Sequence, residues 1–257
     1  MEKAHAKRGI FYCGTSNVEL PVPNKSYFPA EFQDRSRLCY YASLFNTVEV
    51  NSSFYKVPQG KTVAKWASEV PGLFRFTYKL WKGITHVPLL QYDQQELNKF
   101  LDVINNAGDK KGCLLIQFPA SVKASLFSNF KKLLTDIQTT GKVDGWALAI
   151  EFRDSSWYTD TVYELLDQYN ATLVVHDMPK SRTPQVELLS DTVYLRFHGE
   201  KGDYRGTYEE DVLRDYAYLV KDWLQEGKTV YAYFNNTAGG GAVGNAATLY
   251  RYVSEMV

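Results

Sequence analysis

Eight short β-rich runs alternating with helical stretches, an inside-outside parity within those runs, and a length of 257 residues together predict an α/β protein. The architecture that fits all three is a single parallel eight-stranded (β/α)8 barrel, a TIM barrel spanning residues 1–257. Apolar residues at 45% and charged residues at 23% are the balance of a chain that folds throughout around one large core.

In chain order, the first run, Phe11 to Ser16, ends in Gly14-Thr15-Ser16. One glycine followed by a proline-bearing loop is not the fingerprint that a doubly wound open sheet, the competing architecture, places after its first strand. Asp34 to Phe45 then reads as an amphipathic helix with Leu38, Ala42 and Phe45 on one face. The second run, Thr47 to Tyr55, alternates Val48 and Val50 with Glu49 and Asn51. In a barrel one side of each strand meets the outer helices and the other faces the lumen, so Glu49 and Asn51 are expected inside. By the same parity Arg75, Thr77 and Lys79 of the third run (Phe74 to Leu80) and Gln117 of the fourth (Cys113 to Pro119) point inward. So do Ala149, Glu151 and Arg153 of the fifth (Ala147 to Asp154). The sixth, Thr172 to Pro179, carries His176 and Asp177; the seventh, Val193 to Glu200, sets Tyr194, Arg196 and His198 against Val193, Leu195 and Phe197. Asp211 to Gln225 is a second clear helix, with Val212, Tyr216, Leu219 and Trp223 as its apolar face. The eighth run, Thr229 to Thr237, turns Tyr233 and Asn235 inward and passes through Asn236 to Gly239-Gly240-Gly241 and an alanine-rich helix.

Twenty-nine basic against twenty-nine acidic residues provide no global field for polyanions, which disfavours nucleic acid as a partner. Met1 to Gly9 is charged and lacks the apolar core of a signal peptide, and no run reaches membrane-spanning length, so a soluble cytoplasmic protein without a membrane partner is expected. Cys13, Cys39 and Cys113 are widely spaced among apolar neighbours and read as free thiols.

The polar residues gather at the C-terminal ends of the runs, where barrel active sites sit. Glu49 and Glu151 are inward carboxylates: each is either a general acid or base or one half of a lumen ion pair. Set against Arg75, Lys79, Arg153 and Arg196 they leave a positive surplus, which points to a small anionic ligand. His86, His176 and His198 fall at or beyond the ends of the third, sixth and seventh runs, while His5 lies elsewhere. They could move protons or, with Asp177 and Glu151, bind a divalent metal as a two-His, one-carboxylate site, although no local HxxxH spacing supports one; ordinary hydrogen-bonded rings are the alternative. Gly239 and Gly240 would let backbone N–H groups approach an anion, with Lys201 and Arg205 nearby, or would simply open a helix. Tyr27, Phe28, Phe54, Tyr55, Trp81 and Trp157 either stack on a ligand ring or roof the barrel.

Several segments resemble a known family in order along the chain: Phe45 to Tyr55, Phe74-Arg75-Phe76 with Ile84-Thr85-His86, Gln117-Phe118-Pro119, Glu151-Phe152-Arg153, Tyr194 to Gly199, and Tyr233 to Asn236. Together they are similar to the domain of unknown function 72 family. The resemblance implies a (β/α)8 barrel and leaves the reaction open. By analogy such a barrel looks like the sugar isomerase and apurinic endonuclease type, which handle sugars or sugar phosphates with metals. The chain departs from the family pattern at Asn17-Val18-Glu19, where a glycine and an aromatic residue are usual, and at Asp154, where histidine is usual. A mechanism leaning on that histidine does not carry over, and Glu49, Asn51, Lys79, His86, Gln117, Glu151, Arg153, Arg196, His198 and Asn235 are the residues on which one is more safely placed. The expectation is therefore a hydrolase, lyase or isomerase. Glu49 or Glu151 would transfer a proton with His86 or His198, and Lys79, Arg153 and Arg196 would hold negative charge. A metal-dependent phosphodiesterase and a non-catalytic binder are the alternatives.

Overall fold

The alternation between two sets of apolar side chains builds two cores, one outside the sheet and one inside it. The computed structural model describes residues 9–186 and 189–257; His5 lies outside them. The eight strands are β1 (Phe11–Thr15), β2 (Thr47–Val50), β3 (Arg75–Lys79), β4 (Lys111–Phe118), β5 (Ala147–Phe152), β6 (Ala171–His176), β7 (Thr192–Phe197) and β8 (Thr229–Phe234). All pair in parallel in the order β1-β8-β7-β6-β5-β4-β3-β2. The helices α1 (Arg37–Leu44), α2 (Ser52–Tyr55), α3 (Gly60–Ser68), α4 (Lys82–Thr85), α5 (Gln94–Ile104), α6 (Phe127–Thr139), α7 (Asp160–Gln168), α8 (Glu210–Gln225) and α9 (Gly241–Met256) lie between and after them. This is the expected TIM barrel, nearly closed.

The remaining seam, between β1 and β2, is bridged by side chains as much as by backbone. Asn46 Oδ1 accepts from Cys13 N at 2.9 Å and its Nδ2 donates to Phe11 O, while Tyr41 OH accepts from Thr15 N and donates to Thr47 O. The strands come so close that a Cβ on Gly14 would lie 2.2 Å from Thr47 O, so glycine is required there. At the top of β1, Asn17 has φ 66°, a left-handed backbone that glycine favours and asparagine tolerates, which accounts for one departure from the family pattern.

Outside the sheet, Leu114, Ile116 and Phe118 of β4 meet Phe100 and Leu101 of α5 and Phe130, Leu133 and Leu134 of α6, all fully buried. Each such side chain contributes about 1.5–3 kcal/mol, and the Phe118–Phe152–Trp157 stack extends this layer (centroids 5.7 and 4.7 Å). Trp157 therefore belongs to the outer core and roofs nothing. Inside, Tyr12, Cys113, Leu115, Ala149, Val174, Tyr194, Tyr231 and Tyr233 fill the lumen. Among the described residues no helix is long and apolar enough to cross a membrane. Cys13 and Cys113 are buried free thiols and Cys39 is half-buried.

Three local expectations need correction. The second run stops as a strand at Val50: Ser53 Oγ donates to Val50 O and Lys79 O (both 2.7 Å), which turns the chain into α2, so Asn51 precedes a helix. On α8 the buried face is Leu213, Ala217, Val220 and Leu224, one residue on from the expected stripe; Val212 and Leu219 are exposed. Two neighbouring apolar stripes exist on this helix, and contact with the sheet selects between them. Arg75 has the expected parity but sits at the base of the barrel, 6.0 Å from the Tyr12 ring, donating to Gly72 O and Phe74 O. It is absent from the strand-end charges.

Candidate active site at the strand ends

Alternation along β2, β5 and β7 carries Glu49, Glu151 and Arg196 into the lumen at one height, and all three are buried. Arg196 spans the two carboxylates. Its Nε and Nη2 donate to Glu49 (2.8–3.2 Å), and its Nη1 donates to Glu151 Oε2 at 3.0 Å. Glu49 also accepts from Ser16 Oγ at 2.6 Å and Tyr194 OH at 2.5 Å, and Arg153 Nε donates to Glu151 Oε1. Burial alone would raise both carboxyl pKa values. The adjacent guanidinium charges, and for Glu49 the hydrogen bonds, outweigh it and hold both groups ionised, Glu151 well below the usual range.

His198, one step past β7, is fixed from two sides. Its Nδ1 lies 3.2 Å from Asp177 Oδ1, and its Nε2 lies 2.9 Å from Arg153 Nη2 and 3.2 Å from Arg196 Nη1. Since guanidinium groups only donate, Nε2 accepts and Nδ1 carries the proton. Burial lowers this imidazole to about 4 despite Asp177, so it is neutral at pH 7. Asp177 in turn accepts from Tyr208 OH and from His198 N. His176 lies with Nε2 3.0 Å from Phe152 O and accepts from Met178 N at Nδ1; burial keeps it neutral too.

Lys79 ends β3 in the same mouth. Its Nζ sits 4.2 Å from the centre of the Phe54 ring, the side chain is largely buried, and among the described residues it makes no ion pair and no hydrogen bond. Desolvation, reinforced by Arg196, lowers its pKa to about 7. His86, at the end of α4, packs edge-on against the same Phe54 ring (centroids 4.8 Å) with Nδ1 2.8 Å from Thr85 Oγ1. Partial burial and the cations Lys79, Arg153 and Lys82 lower it to about 4.

The sequence-selected residues therefore divide. Glu49, Glu151, Arg153, Arg196, His198 and Asp177 form one connected cluster, and Asn51 joins through its Oδ1, 3.3 Å from Arg196 Nη2. Gln117 lies beside Glu151 in register and is largely buried. Asn235 is half-buried and donates its backbone N–H to Phe197 O. The three histidines do not converge as a metal site would require: His176 and His198 are 5.7 Å apart ring to ring, their nitrogens already bonded to protein, and His86 stands with Phe54. Among the described residues no three His, Cys, Asp or Glu side chains are arranged to hold a metal ion. Asn236 is buried with its Nδ2 donating to Gly206 O and Asn245 Oδ1, so its amide clasps the loop after β7 to α9. Gly239 and Gly240 are exposed with positive φ (113° and 81°), Gly240 standing at the start of α9. Sequence reasoning missed Ser16, Tyr208 and Phe54 as partners of the charged groups. Their signal was weak, because a hydroxyl or ring beyond the strands acquires such a role only through the residue opposite. Asp154, the other departure from the family, accepts from Ser156 N and caps a short turn.

A separate cleft of about 550 Å³ lies on the outer face of β2, lined by Leu38, Val48, Val50, Trp66 and Phe76 with polar residues at its edge. It lies apart from the cluster of buried charged groups at the strand ends.

The profile of the family described as protein of unknown function DUF72 matches residues 12–256. The UPF0759 protein YunF of Bacillus subtilis is 26% identical over 250 residues, covering 86% of this chain and 87% of its own. The UPF0759 protein YecE of Escherichia coli is 30% identical over 81 residues, 32% of this chain. Solved DUF72 structures from Thermotoga maritima (25% identity, TM-score 0.75, covering 95% of this chain and 99% of that one) and Enterococcus faecalis (23%, 0.76, 96% and 99%) share the fold.

Proposed function

The chain belongs to the DUF72 family of proteins of unknown function, and from that premise we propose that it is an enzyme using acid–base chemistry on a small anionic substrate held at the strand ends. The observation that carries this reading is Lys79: a largely buried amine with no counter-ion among the described residues, beside charged groups that are otherwise saturated. A buried, unpartnered cation is costly and persists where a ligand supplies the missing negative charge or where the neutral amine reacts. Arg75 lies at the other end of the lumen and Asp177 joins the cluster, so Lys79, Arg153 and Arg196 face three carboxylates and the positive surplus expected from the sequence disappears; what supports an anionic ligand is the local position of Lys79, outside every ion pair among the described residues. Glu49 and Glu151, held ionised by Arg196, set the field of the site. Lys79 and His86 are the groups left to exchange protons with a ligand, and the exposed Tyr55 beside Lys82 offers a rim for a sugar-like body.

Calorimetric titration of the full chain with inorganic phosphate and glycerol 3-phosphate tests the reading. Binding weakened by about tenfold or more in Lys79→Met, roughly the loss of one charge-assisted contact, is the expected result. No binding of either probe, or binding unchanged in Lys79→Met, overturns it.

A further inference from the structure

Lys79 is more than a counter-ion. It is held in place from both sides of its own backbone: Ser53 Oγ donates to Lys79 O, and Leu80 N donates to Leu115 O at 2.8 Å. The Nζ rests 4.2 Å from the Phe54 ring centre, and the residue as a whole keeps 8% exposure, too little for a fully hydrated side chain. The titratable and charged groups facing it are Arg196, Arg153, Glu49 and Glu151 from the lumen and His86 at the end of α4. The carboxylates are engaged by Arg196, Arg153, Ser16 and Tyr194 and do not pair with it. An apolar floor combined with neighbouring cations is the setting in which a lysine becomes a nucleophile.

We propose that Lys79 Nζ is an imine-forming amine and that the anionic substrate carries an aldehyde or ketone carbonyl, an inference that rests on the strand-end mouth being the substrate site. The neutral amine attacks the carbonyl carbon; a C–N bond forms and the carbonyl π pair moves to oxygen. A proton passes from nitrogen to that oxygen, through water or through His86, giving the carbinolamine. The nitrogen lone pair then forms C=N as the C–O bond breaks. The hydroxyl leaves with the remaining N–H proton, so amine and carbonyl become imine and one water. With its pKa near 7, about half of Lys79 is the neutral nucleophile at neutral pH, roughly a thousand times the fraction of an ordinary lysine.

The test is reductive trapping. The full chain is incubated at pH 7.5 with pyruvate or glyceraldehyde 3-phosphate, reduced with sodium borohydride and mapped by peptide mass spectrometry. One adduct at residue 79, forming at least about tenfold faster than at any surface lysine and absent in Lys79→Arg, is expected. A second measurement needs no variant: trace acetic anhydride labelling of the parent chain from pH 6 to 10 should give residue 79 a midpoint near 7. No adduct at residue 79 with either probe, or a midpoint near 10, overturns the inference. If phosphate and glycerol 3-phosphate still bind in a Lys79-dependent way, the proposed function survives that failure; if they do not, both fall.

Discussion

At the base of the lumen the Tyr233 hydroxyl lies 2.7 Å from both Thr47 Oγ1 and Thr77 Oγ1, whereas two residues further along β2 and β7 Arg196 holds Glu49 and Glu151 at 2.8 and 3.0 Å. Both layers are buried, and they solve the same problem with different chemistry. In the lower layer each hydroxyl has a second partner: Thr47 Oγ1 donates to Arg75 O, and Thr77 Oγ1 accepts from Cys113 N. Beside them Leu115, Ala149 and Val174 fill the lumen without polarity. The lower layer is therefore satisfied without any charged group. The concentration of ionic groups in the upper layer, above one that packs without charge, is the contrast on which the proposed function rests.

The largest effect that separates the layers is expected from Arg196→Met, which strands two buried carboxylates. It should cost about 3–5 kcal/mol, read by urea unfolding at pH 7. Because the folded pKa values of Glu49 and Glu151 are depressed, their pairing stabilises above the unfolded carboxyl pKa of about 4.3 and is lost as pH falls through the lower folded values. The acid limb of the parent's stability curve should flatten in the variant; an unchanged limb would show that Arg196 does not hold these groups ionised.

Next is a pair of single-hydroxyl deletions, one in each layer. Ser16→Ala removes a donor to a carboxylate and should cost about 2 kcal/mol, with the loss shrinking in acid as Glu49 protonates. Tyr233→Phe leaves Thr47 and Thr77 with their other partners and should cost about 1 kcal/mol at every pH between 4 and 8. Equal costs and equal pH dependence would erase the distinction between the layers.

The smallest effect concerns Lys79 and has a distinctive sign. Its folded pKa is lowered, so between about 7 and the unfolded value of about 10.4 the unfolded chain binds more protons and stability rises with pH. Lys79→Met should be as stable as the parent or slightly more so at pH 7, and the difference should narrow toward pH 10. A clear loss of stability in Lys79→Met at pH 7 would mean that the amine is a structural partner after all.

Much of this architecture can be read directly from the chain, because strand alternation is local: a residue's parity along β2, β5 or β7 is fixed by its immediate neighbours, which alone put Glu49, Glu151, Arg196 and His198 inside. Parity does not give height. Arg75 and Lys79 share a face of β3, yet one ends at the base beside Tyr12 and the other in the mouth. Nor does it give the end of a strand: Ser52 to Tyr55 has strand-like residues, and Ser53's bonds to two carbonyls turn it into a helix. The apolar stripe of α8 was misplaced by one position for a related reason, since only packing against the sheet selects between adjacent stripes.

The sequence by itself determined the barrel, the eight strands and the membership of the lumen, because periodicity and turn chemistry act within a few residues. Tertiary structure alone decided which charges meet. Register around the barrel brings Arg196 between Glu49 and Glu151, 147 and 45 positions away in the chain, and leaves Lys79 over Phe54 with no ion-pair partner among the described residues. Ion pairing depends on distances of a few ångströms across the lumen, and those are fixed by strand stagger and closure, which no local pattern encodes.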